Sequence, residues 1–308
     1  MKDRIATIAV GLMLLISAAA ATGNSNQVSV NIHQEAEGNS VTGEVFICQV
    51  ADAVAFVDGN NNQIEQNVDL YINDNALTGT EEKPSSLTQV GFIMGNATGN
   101  GNRLEQNLNL NAHNNYVTMS NMSQEAAQKA EVVGNNNEVS QNTSAESHDN
   151  MLTLSDLRQF SLLKASVTGS YNIVDQSVEQ QAVDNSLTGS KIWQQTVGNV
   201  SAYGTRNNAY QQIIQNADDN SLTSSAFKQI IETRSAVLGS KNTIDQDAAV
   251  YATSNSLTAG AVETQQILEI ANVLGSGNSV THGITLRKNN NAMVGGTSVQ
   301  ASSVITDL

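Results

Sequence analysis

The sequence predicts an all-β fold, a β-solenoid of eight stacked coils of about 35 residues with Asn and Gln ladders. Three observations predict it. A glycine opens the same frame at Gly23, Gly59, Gly99, Gly134, Gly169, Gly204, Gly239 and Gly275. Amide side chains recur at fixed offsets inside that frame. Apolar residues within each copy alternate with polar ones at period two, the spacing of a strand with one buried face rather than the 3.6 of a helix. A fixed repeat of this length marks a solenoid, propeller or array.

The first amide column is Asn26, Asn62, Asn102, Asn137, Asn172, Asn207, Asn242 and Asn278. The second follows thirteen residues later, at Asn39, Asn75, Asn115, Asn150, Asn185, Asn220, Asn255 and Asn291. An early Gln column holds Gln66, Gln106, Gln141, Gln176, Gln211 and Gln246. A late one, ten residues before each next Gly, holds Gln49, Gln89, Gln124, Gln159, Gln194, Gln229 and Gln265.

Met1 to Ala21 reads as a secretory signal peptide. Lys2 and Arg4 supply a basic start, Ile5 to Ile16 an apolar stretch, and Ala19-Ala20-Ala21 a small-residue cleavage site. The apolar run is shorter than the roughly 20 residues that span a bilayer. Processing near Ala21 and export are expected, with residues 22–308 forming a single repeat domain. No second apolar segment is long enough to hold the mature chain in a membrane.

Each copy divides into three segments. The first runs for about eleven residues from the early Asn, as in Asn62, Ile64, Gln66, Val68, Leu70 and Ile72. A short one carries Asn-x-Leu-Thr. The third runs through the late Gln, as in Leu157, Gln159, Ser161, Leu163, Ala165 and Val167. The Gly-x-x-Asn arc suits positive φ, and the Asp/Asn pairs such as Asp184-Asn185 mark a second arc. The third falls where insertions collect, including Glu81 to Ser85 with the only proline, Pro84. Stacking at about 4.8 Å per coil gives a rod of roughly 40 Å.

The net charge of −15 supplies no basic footprint for nucleic acid. Cys48 is the only cysteine and reads as a partly covered thiol. His113 and His148 occupy equivalent places on adjacent coils without a third repeated ligand, so no metal or cofactor is expected. Glu65, Glu105, Asp175 and Asp245 form an outward acidic stripe, and Thr42 to Thr258 a threonine column. No catalytic triad, metalloprotease or phosphate-loop pattern is present, and the expectation is that the chain is not an enzyme.

A buried amide must be paired, and a stack of identical amides pairs with itself. Such columns either lock register and drive axial growth or hold a monomeric solenoid; both readings stand at this point. The end copies leave the frame: Val30 and His282 take the early-Gln place, Met293-Val294 replaces Leu-Thr, and Lys288 sits at an inward position. These residues either cap the rod or form a joint between rods.

The Gly-x-x-Asn arc, with a small apolar residue two later and an in-register Gln, resembles the repeats of curlin, the subunit of curli fibres. That resemblance implies a secreted functional amyloid of stacked repeats whose partner is another copy of itself. The chain is also similar in type to the amyloid-like tubular sheath proteins of methanogenic archaea. The function expected is a secreted structural protein that assembles into a fibre, sheath or surface layer, with a nucleator or envelope component as a further partner. The alternative is a monomeric adhesin that presents a solenoid face to carbohydrate or a surface partner.

Overall fold

A computed structural model describes residues 12–43, 46–80, 84–295 and 297–307. Within them the chain is all-β, with 25 strands numbered in chain order. Every paired neighbour is parallel and one coil distant, as in Gln106↔Gln141 and Gln141↔Gln176. Three sheets result: an opening sheet of eight strands, a short sheet of eight, and a closing sheet of nine.

One coil illustrates how the sequence builds the three sides. From Gly169 the chain turns and runs Ile173–Val183, then Ser186–Thr188, then Lys191–Thr205. These strands match the three segments read from the repeat. Their side chains alternate in burial, so the apolar set of each strand faces the space between the sheets. Leu157, Gln159, Ser161, Leu163, Ala165 and Val167 are all buried, as are Ile64, Gln66, Val68, Leu70 and Ile72.

The arcs carry the backbone strain. Gly169 has φ +131°, and a Cβ there would overlap the carbonyl oxygen of Gly134 in the coil below. Only glycine permits so close a stack of arcs. Two residues on, Tyr171 is left-handed at φ 61°, and the second arc bends at Asp184, φ 54°. The third arc has its own left-handed residue, such as Leu154 at φ 51°.

Two details refine the sequence reading. Glu81, Glu82 and Lys83 of the insertion lie outside the described residues, while Pro84 is exposed. Ser85 does not belong to the inserted loop; it opens a strand in register with Ser120.

The described part of the expected leader forms a strand. Strand β1 (Leu12–Thr22) lies parallel on β4 (Phe46–Asp58), with Met13 opposite Gln49 and Ala21 opposite Val57. It is the ninth strand of the closing sheet and belongs to no complete coil. The basic start at Lys2 and Arg4 lies outside the described residues. At this end the opening and short sheets finish at β2 (Gln27–Glu37) and β3 (Ser40–Thr42). At the other end the three sheets finish at β23 (Ser279–Asn289), β24 (Ala292–Val294) and β25 (Thr297–Asp307).

Candidate functional site

The chemistry of this chain lies in its ladders and in how they end. In the first Asn column each backbone N–H donates to the Oδ1 of the Asn one coil further on, at 2.8–3.0 Å from Asn26 through to Asn278. The second column does the same at 2.8–3.1 Å from Asn39 to Asn291. Several members also donate Nδ2 to a carbonyl, as Asn115 does to Ile72 O at 2.9 Å. Asn62, Asn75, Asn102, Asn115, Asn137, Asn150, Asn172 and Asn185 are all buried. The first and second arcs are thereby braced by side chains.

The Gln ladders run the opposite way. Nε2 of Gln106, Gln141, Gln176, Gln211 and Gln246 each donates back to Oε1 of the preceding Gln, at 2.7–3.0 Å, starting from Gln66. The late column does so from Gln89 through Gln124, Gln159, Gln194, Gln229 and Gln265 at 2.8–3.1 Å, with Gln49 as first acceptor. Gln300 extends it, donating to Gln265 at 2.6 Å. Sequence reasoning missed Gln300 because no glycine follows it to complete the frame.

Two further ladders also escaped the sequence. On the exposed face, Asn67, Asn107 and Asn142 each donate to the Asn before, starting at Asn31, at 2.8–3.0 Å. At the third arc a serine column links backbone N–H to hydroxyl, Ser120 to Ser155 at 3.1 Å and Ser155 to Ser190 at 3.0 Å. Ser190 and Ser225 continue it. Four consecutive asparagines or serines at one offset were the available signal.

The end coils break the pattern with different chemistry. Val30 is buried in register with Gln66, whose Nε2 turns instead to the carbonyls of Ala53 and Met94. At the other end the core becomes charged. His282 is in register with Gln246 but bonds Oε2 of Glu269 through Nδ1 at 3.0 Å and Thr306 Oγ1 through Nε2 at 3.1 Å. Lys288 reaches across the core, its Nζ 3.4 Å from Oε2 of Glu263 and bonded to Ser298. Both carboxylates sit at inward positions of β22 (Val262–Leu274) and are buried.

Burial, with Asp247 and Asp245 adding to it, raises the Glu269 pKa from 4.5 to about 8. Burial also pushes the His282 imidazole below its usual 6.5. Both shifts favour the uncharged forms, so the pair holds one proton between them near neutrality: Glu269 O–H donates to Nδ1. Sequence reasoning found His282 and Lys288 but missed their partners Glu263 and Glu269. Their even spacing from Gln265 placed them on the inward face.

The remaining candidates are dispersed. His113 and His148 are adjacent, with ring centroids 6.5 Å apart, and His113 Nε2 contacts Asp149 at 3.0 Å. Among the described residues no group of three or more His, Cys, Asp or Glu is arranged to hold a metal. Glu65 and Glu105 stack as neighbours, while Asp175 and Asp245 lie on the same column with Tyr210 between them. Burial, then Glu138, raises the Asp175 pKa. Cys48 is half-buried. Threonines 153, 188 and 223 stack in register, and Thr223 and Thr258 share a hydroxyl contact at 3.2 Å. Trp193 is exposed, with Arg158 and Lys228 at 5.6 and 5.2 Å over its ring.

No known protein family, curated protein or solved structure matches the chain.

Proposed function

We propose that this chain is a secreted structural protein that self-assembles into an extracellular fibre, sheath or surface layer. The observation that carries the reading is directional: both Asn columns and the late Gln column run in one sense through all eight coils, from Asn26, Asn39 and Gln49 at one end to Asn278, Asn291 and Gln300 at the other. A parallel sheet that ends on open edges, with identical amides continuing to its last strand, is a template for another layer. Export is supported by the basic, apolar and alanine-rich start of the sequence. The extended, repeated architecture suits a load-bearing or surface-covering role, with a second copy of the chain as the principal partner and a nucleator or envelope component as another.

The test is negative-stain microscopy of exported protein across a wide concentration range, with fibre diffraction on aligned material. Filaments, sheets or hoops with a reflection near about 4.8 Å along the growth axis are expected. Persistent monomers would overturn the reading. One observation favours an adhesin instead: Trp193 between Arg158 and Lys228 is a flat aromatic with two cations on an exposed sheet face. Monomers that bind an acidic glycan through Trp193 would establish that alternative.

A further inference from the structure

The end of the rod that carries β1 has a specific complement at the other end of the same molecule. β1 occupies the slot on the edge of β4 where a ninth closing-sheet strand fits, parallel and in register. Yet it suits that slot poorly. Met13 stands opposite Gln49, where the ladder calls for Gln. Met13, Leu14, Leu15 and Ile16 remain exposed. Gln49 Nε2 meets Tyr71 O at 3.0 Å and, among the described residues, no Gln oxygen on the β1 side. Gln89, Gln124, Gln159, Gln194 and Gln229 use both contacts, as Gln124 does with Gln89 and Glu146.

β25 carries what β1 lacks. Gln300 continues the same column, with its Oε1 facing away from Gln265 toward the next layer. Head-to-tail apposition of two copies would place Gln300 Oε1 before Gln49 Nε2. It would also place the backbone N–H groups of Asn278 and Asn291 before the Oδ1 atoms of Asn26 and Asn39, the donor-to-acceptor sense used between every pair of coils inside the molecule. Because the ladders are directional, joining two like ends would oppose donors to donors or acceptors to acceptors. Charge agrees with this polarity. Glu35 and Arg287 occupy the first and last places of one column: Glu35 pairs with Tyr71, and Tyr251 with Arg287. Stacking would bring carboxylate and guanidinium together.

We propose that β1 blocks the edge of β4 in the unprocessed chain, and that its removal opens that slot to β25 of a second copy. The inference rests on the self-assembly reading and adds its joint, its polarity and its trigger. A heterologous contact of this kind does not close on itself and propagates as a filament. Processing at Ala21 then couples export to growth: a chain that still carries β1 is a chain that has not left the cell.

Cys48 makes the joint testable. It pairs with the backbone of Leu12 in β1, and the end of its column is Val299 in β25. Neighbouring parallel strands lie about 4.8 Å apart, within the Cα range of a disulfide. Full chains carrying Val299→Cys would be prepared in unprocessed form and in the form processed at Ala21, then oxidised mildly and run on denaturing gels. The expected result is a ladder of covalent multimers from the processed variant only. The native sequence should give none, nor should Ser303→Cys, which lies out of register with Cys48. Glu35→Lys should slow cross-linking several-fold, with recovery when combined with Arg287→Glu; circular dichroism identifies any variant that has not folded.

Polymers visible by microscopy without Val299→Cys cross-links, or equal cross-linking from Ser303→Cys, would overturn this joint and leave self-assembly standing. Equal cross-linking with β1 present would overturn the blocking role. Absence of polymer in every processed form would overturn both the joint and the self-assembly reading.

Discussion

Nδ1 of His282 lies 3.0 Å from Oε2 of Glu269, a carboxyl with no solvent-exposed surface, at the point where the apolar core gives way to the last coil. A single proton is shared between Nδ1 and Oε2 while Glu269 Oε1 stays buried without a hydrogen-bond partner, and this gives the coil a pH dependence. Glu269 has its pKa raised from 4.5 to about 8, so its contribution is complete below 4.5 and is lost as pH rises through about 8. His282 is shifted the other way, so its contribution is present above 6.5 and is lost as pH falls through its lowered value.

Below 6.5 the two slopes oppose; between 6.5 and about 8 only Glu269 of the pair changes its proton. The last coil should therefore loosen as pH rises through that interval. Amide hydrogen exchange of β23 and β25, corrected for intrinsic rate, should show falling protection between about pH 6.5 and pH 8.5. Glu269→Gln keeps a donor for His282 and removes the titration, so its profile should be flat. A native profile equally flat would refute the shared-proton account.

Gly169→Ala should destabilise the rod by more than about 2 kcal/mol, since it adds strain at a glycine-type φ to a backbone overlap. The φ of +131° and the carbonyl of Gly134 leave no room for a methyl group. The denaturant midpoint measures it. Gly38→Ala is the control: its φ of +67° imposes a left-handed cost but a Cβ there meets nothing within 4 Å. A Gly169→Ala midpoint no lower than that of the control would contradict the arc-packing argument.

Gln159→Ala removes one rung of the buried late ladder. Gln159 donates to Gln124, Ala145 O and Gln181 O and accepts from Gln194, all between 2.8 and 3.0 Å. Truncation leaves those partners buried and unpaired beside a cavity, a loss of about 2–4 kcal/mol. Asn107→Ala interrupts the exposed Asn ladder, where water replaces the lost bonds, and should cost under about 1 kcal/mol. Equal losses from equilibrium unfolding of the two variants would show that burial does not set the worth of a rung.

Trp193→Ala should change stability by no more than about 1 kcal/mol, the scale of exposed cation–π contacts. Arg158 and Lys228 remain solvated on the same face. Retained polymer formation by this variant, seen by microscopy, is the outcome expected of a structural protein. Loss of assembly with intact folding would move the interface from the rod ends to this face.

What the sequence by itself determined was the repeat and its consequences. Spacing held from Asn62 to Asn242 and from Gln89 to Gln265 fixes the register, because a strand turns one side chain in and the next out. Once coils stack in register, an inward amide such as Gln141 meets its own kind in the coils before and after it. The three segments, the glycine arc and the frame-breaking Val30, His282 and Lys288 were legible on those grounds. Only the tertiary structure decided what those breaks face. Glu263 and Glu269 find Lys288 and His282 across the core from another sheet, a proximity set by three-sided closure rather than by any spacing along the chain. The same holds for β1, whose place on β4 follows from an open sheet edge with matching strand geometry. Alternation along a strand is local chemistry and can be read residue by residue; contacts between sheets depend on how the coil closes, and that is a property of the whole turn.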